Sequence, residues 1–122
     1  MNHIVWVDIP VNDLDRAIRF YSAVLDCEVS RQGGPGFLFG LLPHEGDEVA
    51  GCLYTPDGDN APSASGPLVY LNVASRMAAA LEAVTLLGGS IVKPAHPIGP
   101  HGFRAIILDS EGNRIALHAP AF

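Results

Sequence analysis

Lysine is nearly missing from this chain. Seven side chains are basic and only Lys93 among them is a lysine, against thirteen carboxylates and a formal net charge of −6. So few scattered cations cannot neutralise a run of phosphates, which argues against a nucleic-acid partner and against an anionic membrane surface. Cysteine is scarce too. Cys27 and Cys52 form neither a CxxC pair nor a disulfide framework, so both are expected as reduced thiols of a cytoplasmic protein. No apolar run approaches the ~20 residues that span a bilayer, and the start of the chain lacks the basic-then-apolar layout of a signal peptide. Charged residues are only 16% and hydrophobic ones 48% of the 122. That balance excludes disorder and predicts a single domain with a real core, better suited to a small neutral or cationic ligand than to a polyanion.

What is present is strand-like alternation followed by helical periodicity, twice. In "IVWVDIPV" (residues 4–11), Val5, Val7, Ile9 and Val11 share one face and Trp6, Asp8 and Pro10 the other. Asn12 or Asp13 can cap the helix that follows, in which Leu14, Ala17, Ile18, Tyr21, Val24 and Leu25 recur at helical spacing. The valine face should therefore pack on this helix. Residues 27–31, 36–42 and 49–54 read as three short strands, broken by "QGGPG" and "PHEGDE". After the loop-like stretch at 57–66, residues 68–73 alternate again, with Val69, Leu71 and Val73 opposite Leu68, Tyr70 and Asn72. A second helix begins at Ser75 as cap, carries Met77, Ala80, Leu81, Val84 and Leu87, and stops at Gly88. Strands at "SIV", "GFRAIILD" and "NRIALHA" follow, the last two joined by the turn signal "DSEGN".

Shifting the chain by 62 residues lays Val7 on Val69, Ile9 on Leu71, Val11 on Val73, Ala17 on Ala79 and Leu25 on Leu87. The expected architecture is α+β: two tandem βαβββ modules, about 1–56 and 67–122, forming a curved mixed-sheet cup with helices on its outside. A pseudo-twofold would aim the Trp6/Asp8 face and the Tyr70/Asn72 face into one shared concavity.

The order of "IPVNDLDRAIRFYSAVL", the repeat and "LDSEGNRIALHA" resembles the glyoxalase/bleomycin-resistance/extradiol-dioxygenase superfamily, the vicinal oxygen chelate proteins. The whole pattern looks most like the branch of predicted enzymes related to lactoylglutathione lyase. The resemblance implies paired modules, frequent homodimers, and either chemistry on small oxygenated molecules or sequestration of a drug. It also implies a divalent metal, held by His, Gln or Glu on the first strand of each module and a Glu on the last strand, where it polarises vicinal oxygens. At those positions this chain carries Trp6, Leu68 and Ala116, none of which coordinates such a cation. No metal or other cofactor is therefore expected, nor the metal-dependent mechanisms of the familiar members.

Asp8 is then the candidate for chemistry, as acid/base or as ligand anchor, because a carboxylate on an inward face costs several kcal/mol to bury unless paired. Arg104 or Arg114 could equally satisfy it. His118, two residues beyond Ala116 on the same face, is a candidate general base or merely a rim histidine. Trp6, Tyr70, Asn72, Tyr54, His101 and Arg104 are candidate ligand contacts, with Trp6 as a stacking wall or as filler of the space a metal would have used. His96 and His101 flank "PIGP", a lid or rim loop. Cys52 should be an inert thiol, since no cationic neighbour is evident. Three functions compete: a metal-independent lyase or isomerase in a small homodimer, a non-catalytic sequestration protein, and an enzyme with an unorthodox metal set from Asp8, His101 and His118.

Overall fold

The computed structural model describes all 122 residues. Module one runs β1 (Trp6–Pro10), α1 (Leu14–Leu25), β2 (Ser30–Gly34), β3 (Phe37–Leu41) and β4 (Ala50–Tyr54). Module two runs β5 (Val69–Asn72), α2 (Met77–Leu86), β6 (Ser90–Pro97), a 3-10 turn at Gly99–His101, β7 (Phe103–Leu108) and β8 (Arg114–Ala119). Each module makes its own four-stranded mixed sheet, in the orders β1-β4-β3-β2 and β5-β8-β7-β6. Only the first and last strands of each module pair in parallel, placing Asp8 beside Cys52 and Tyr70 beside Ala116. The α+β architecture of two βαβββ modules is thus the one the repeat predicts. No helix is long and apolar enough to cross a membrane.

Both helices owe their position to the alternating faces beneath them. Ile9, Val11, Leu53, Val73, Ile107, Ile115 and Leu117 from the two sheets meet Phe20, Tyr21, Val24, Met77, Ala80 and Val84 from the helices in one buried cluster. Non-directional burial of this kind is the main stabilising term in such a domain. Gly40 lets β3 lie against α1, since a Cβ there would stand 2.9 Å from Ile18 Cγ1. α1 is capped by Asp13, which accepts from the Arg16 amide at 3.0 Å.

A buried polar lock joins the modules. The Glu111 carboxylate, from the β7–β8 turn, accepts from the backbone amides of Asn12 and Asp13 (3.0 and 2.9 Å) at the start of α1 and from Arg16 Nε at 2.8 Å. Burial alone would raise the Glu111 carboxyl, but the bonds from Arg16, Asp13, Ser110 and Asn12 outweigh it and hold it down at about 2. Asp109, one turn back, accepts from the Tyr21 hydroxyl and from the amides of Glu111 and Asn113, the latter two at 2.8 Å. Asn113 Nδ2 donates to Pro10 O at 2.8 Å, tying the same turn to the end of β1.

Several local expectations are corrected. β2 lies at 30–34 rather than 27–31, because Asp26 in a left-handed conformation (φ 51°) turns the chain and Val29 enters the core before pairing begins. α2 has no side-chain cap: its first turn is preceded by Arg76, not by a capping Ser75. Leu87 lies past the end of α2 and is exposed. The stop falls where expected, with Gly88 at φ 95°. β6 is longer than "SIV" and carries His96 on the strand, opposite Arg104, so His96 is not part of a lid loop. Finally, the two sheets are separate and open, and no hydrogen-bonded ladder joins β1 to β5.

Candidate ligand-binding site

Strand parity puts Asp8, Cys52 and Leu41 in one row across module one, and Tyr54 beside Phe39 in the next, on the face opposite the helix. Trp6 Nε1 donates to Asp8 Oδ1 at 2.7 Å and Cys52 Sγ donates to the same oxygen at 3.3 Å. Oδ2 of Asp8 has no protein donor and the residue is exposed, so Oδ2 is open to solvent or ligand. Burial pushes the Cys52 thiol up to about 11, reinforced by the Asp8 carboxylate that it faces. Cys52 is therefore a neutral donor that orients Asp8, not a nucleophile.

Above this row lies a cavity of about 870 Å³, walled by Trp6, Phe37, Phe39 and Tyr54 and edged by Asp57 and Asp59 after β4. The Phe37 and Phe39 rings are stacked, with centroids 6.3 Å apart. Tyr54 is steadied at its hydroxyl by Asn60 Nδ2 at 3.0 Å. Of the candidate residues, Trp6, Asp8 and Tyr54 are brought together here. The signal for the other walls lay in the alternation of "FLF" at 37–39, which puts both phenylalanines on the Asp8 side of β3.

The remaining candidates belong to module two. Across its helix-free face run Asn72, His118, Arg104 and His96, each beside the next in register. Arg104 Nε donates to His96 Nε2 at 3.1 Å and Nη1 donates to the Tyr70 hydroxyl at 2.5 Å. His118 Nε2 bonds His101 O at 2.6 Å, and Asn72 Oδ1 accepts from the Ala74 amide at 2.7 Å. Arg104 thus satisfies His96 and Tyr70 while His118 and Asn72 bond the backbone, and Asp8 is partnered by Trp6 and Cys52 rather than by Arg104 or Arg114. Asp8 is also exposed, so the cost of burial does not bear on it.

The two faces do not share a cavity within one chain. Where β1 and β5 come near each other there is instead an apolar crevice of about 420 Å³, lined by Val7, Ile9, Leu25, Val69 and Leu71, with Tyr70 and Asn72 at its edge. The apolar faces of both sheets meet the two helices in one core.

Residues 1–117 match the model of the glyoxalase/bleomycin resistance protein/dioxygenase superfamily. The chain belongs to that superfamily. None of the curated proteins matches it. Among solved structures it is similar to a glyoxalase/bleomycin resistance protein from Albidiferax ferrireducens T118 (TM-score 0.74, 21% identity, covering 97% of this chain and 98% of that one). It is also similar to a glyoxalase-related enzyme from Fulvimarina pelagi (0.70, 15%, 98% and 88%). Glyoxalase I from Zea mays matches at 0.68 and 21% identity over 94% of this chain but 45% of its own, so this superfamily member spans about half the maize enzyme. At these identities the likeness shows the shared fold.

The divalent metal that the superfamily implies does not fit the residues present. Trp6 spends its one polar atom donating to Asp8, while Leu68 and Ala116 offer no lone pair. No three His, Cys, Asp or Glu side chains converge, and of the set of Asp8, His101 and His118 the first lies on β1, the second in the 3-10 turn and the third on β8.

Proposed function

We propose that this superfamily member binds a small organic molecule against the helix-free face of module one, between the aromatic walls and the free oxygen of Asp8. The observation that carries this reading is the Asp8 carboxylate, fixed by two donors on one oxygen and open on the other, at the floor of an aromatic cavity. If the bound molecule is transformed, the reading is metal-independent proton transfer of the lyase or isomerase class, with Asp8 taking the proton. His118 joins Asp8 as second base only if another copy of the chain lays its module-two face over the cavity.

Such a homodimer is part of the proposal. Trp6 and Tyr70 are 44% and 45% exposed, and Ile4, Val5 and Val49 form an uncovered apolar edge beside them. A face of this kind on a small domain marks a contact surface. The protein is proposed to work in the cytoplasm, where Cys27 and Cys52 stay reduced.

Sequestration without chemistry is the second reading, favoured by the inert Cys52 thiol and by the distance of the histidines from the cavity. Native mass spectrometry of the purified protein, followed by turnover assays on any small molecule that co-purifies, tests the proposal. A bound organic mass that is lost in Trp6→Ala supports the site. Asp8→Asn that keeps binding but abolishes turnover supports the enzyme, and turnover unchanged in Asp8→Asn refutes the role given to Asp8. A protein free of any ligand, and unresponsive to added small molecules, contradicts both readings.

A further inference from the structure

The module-one cavity combines two features that seldom meet without a cation between them. Its walls are the rings of Trp6, Phe37, Phe39 and Tyr54, whose faces are electron-rich, and it holds the carboxylate of Asp8 at its floor and those of Asp57 and Asp59 at its rim. No lysine, arginine or histidine lines it. The three ion pairs of the chain, Arg16–Glu111, Arg31–Asp15 and Arg76–Asp26, all lie elsewhere, and no side chain donates to Asp57 or Asp59. Negative charge here is unmatched within the protein. An anionic ligand would be repelled by all three carboxylates, whereas a cation would be drawn to them.

Resting on the reading of this cavity as the ligand site, we propose that its ligand is an organic cation, an alkylammonium group seated against Trp6 and the phenylalanines with Asp8, Asp57 and Asp59 as counter-charges. The ring quadrupole attracts a cation at van der Waals range, most strongly for tryptophan, and desolvation in an aromatic pocket strengthens the attraction. The carboxylates add a longer-range pull that concentrates cations at the mouth and weakens with salt. Trp6 also has its indole N–H committed to Asp8, which fixes the ring that the cation would touch.

Trp6 is the sole tryptophan of the chain, so its fluorescence reports on ligand arriving at this side chain. The test titrates the full-length protein with choline and, in parallel, with 3,3-dimethylbutan-1-ol, in which carbon replaces the quaternary nitrogen. The expected result is saturable quenching by choline, at least tenfold weaker binding of the neutral isostere, and a further loss of about tenfold for choline in the Asp57→Asn/Asp59→Asn variant. These two aspartates lie in an exposed loop, so the variant should fold, which circular dichroism checks. Equal binding of the isostere overturns the cation proposal while leaving the cavity as a ligand site. Quenching by neither probe overturns the cation proposal, and the cavity then stands or falls on the mass-spectrometric test above. Unchanged choline affinity in the double variant removes the rim carboxylates from the recognition.

Discussion

The two modules share one plan and use their polar groups in opposite ways. In module two the helix-free face is closed on itself: Arg104 holds His96 and Tyr70, His118 holds His101 O, and the β7–β8 turn reaches across to grip α1 through Asp109 and Glu111 and the end of β1 through Asn113. In module one the corresponding turn, at 42–49, reaches no helix through side-chain hydrogen bonds: Glu45 and Glu48 bond each other and the Leu42 amide bonds Gly51 O. Its helix-free face keeps an open carboxylate oxygen, four aromatic walls and unpaired aspartates. Duplication thus yields one half that locks the fold and one half left free for a ligand. Hydrogen bonds made inside the protein stabilise, whereas polar groups left open are available for recognition.

The largest effect that would break this division is on stability. Glu111 has its carboxyl lowered to about 2 from an ordinary 4.5, so its contribution is full above 4.5 and is lost as pH falls from there towards 2. The shift corresponds to roughly 3 kcal/mol at neutral pH. Glu111→Gln should lower the neutral-pH stability by about 2–3 kcal/mol and flatten its fall below pH 4.5, measured by urea denaturation across pH. A variant as acid-sensitive as the parent would show that the lock is not Glu111.

Tyr21→Phe should cost about 1–3 kcal/mol, since it strips a donor from the buried Asp109 while leaving the ring in the core. Chemical denaturation at pH 7 measures it, and a neutral outcome would make the Tyr21 contact dispensable. Trp6→Ala should leave stability within about 1 kcal/mol, because the ring is largely exposed, yet weaken ligand binding about tenfold. Calorimetric titration and thermal unfolding together separate the two effects. Arg104→Gln is the smallest: stability within about 0.5 kcal/mol and unchanged affinity at module one. If Arg104→Gln abolished ligand binding instead, the contrast between the modules would fail.

Much of this was legible in the sequence because it rests on periodicity. The 62-residue shift matches β1 to β5 and α1 to α2, and it predicts the opposed faces of Ile9 and Asp8 and of Leu71 and Tyr70. It drifts after β2, where β3 and β7 are offset by the different lengths of the intervening turns, and the glycine and prolines of "PIGP" read as a loop flanked by His96 although β6 runs through His96 to Pro97. Strand parity is local, so it places Trp6, Asp8 and Tyr54 on the one face where the cavity lies. Phe37 and Phe39 were missed as walls because "FLF" also reads as a simple buried strand. The single shared cup was expected from pseudo-symmetry alone. Which residues of the two modules share a cavity depends on long-range packing, which strand parity does not encode.

The central claim is that ligand sits on module one's face and not on module two's. A crystal structure of the protein with choline tests it most directly. The account predicts the ammonium group in contact with the Trp6 ring and within reach of the free oxygen of Asp8. Choline seated only against Tyr70, Arg104 and His118, with the Trp6 cavity empty, would contradict it.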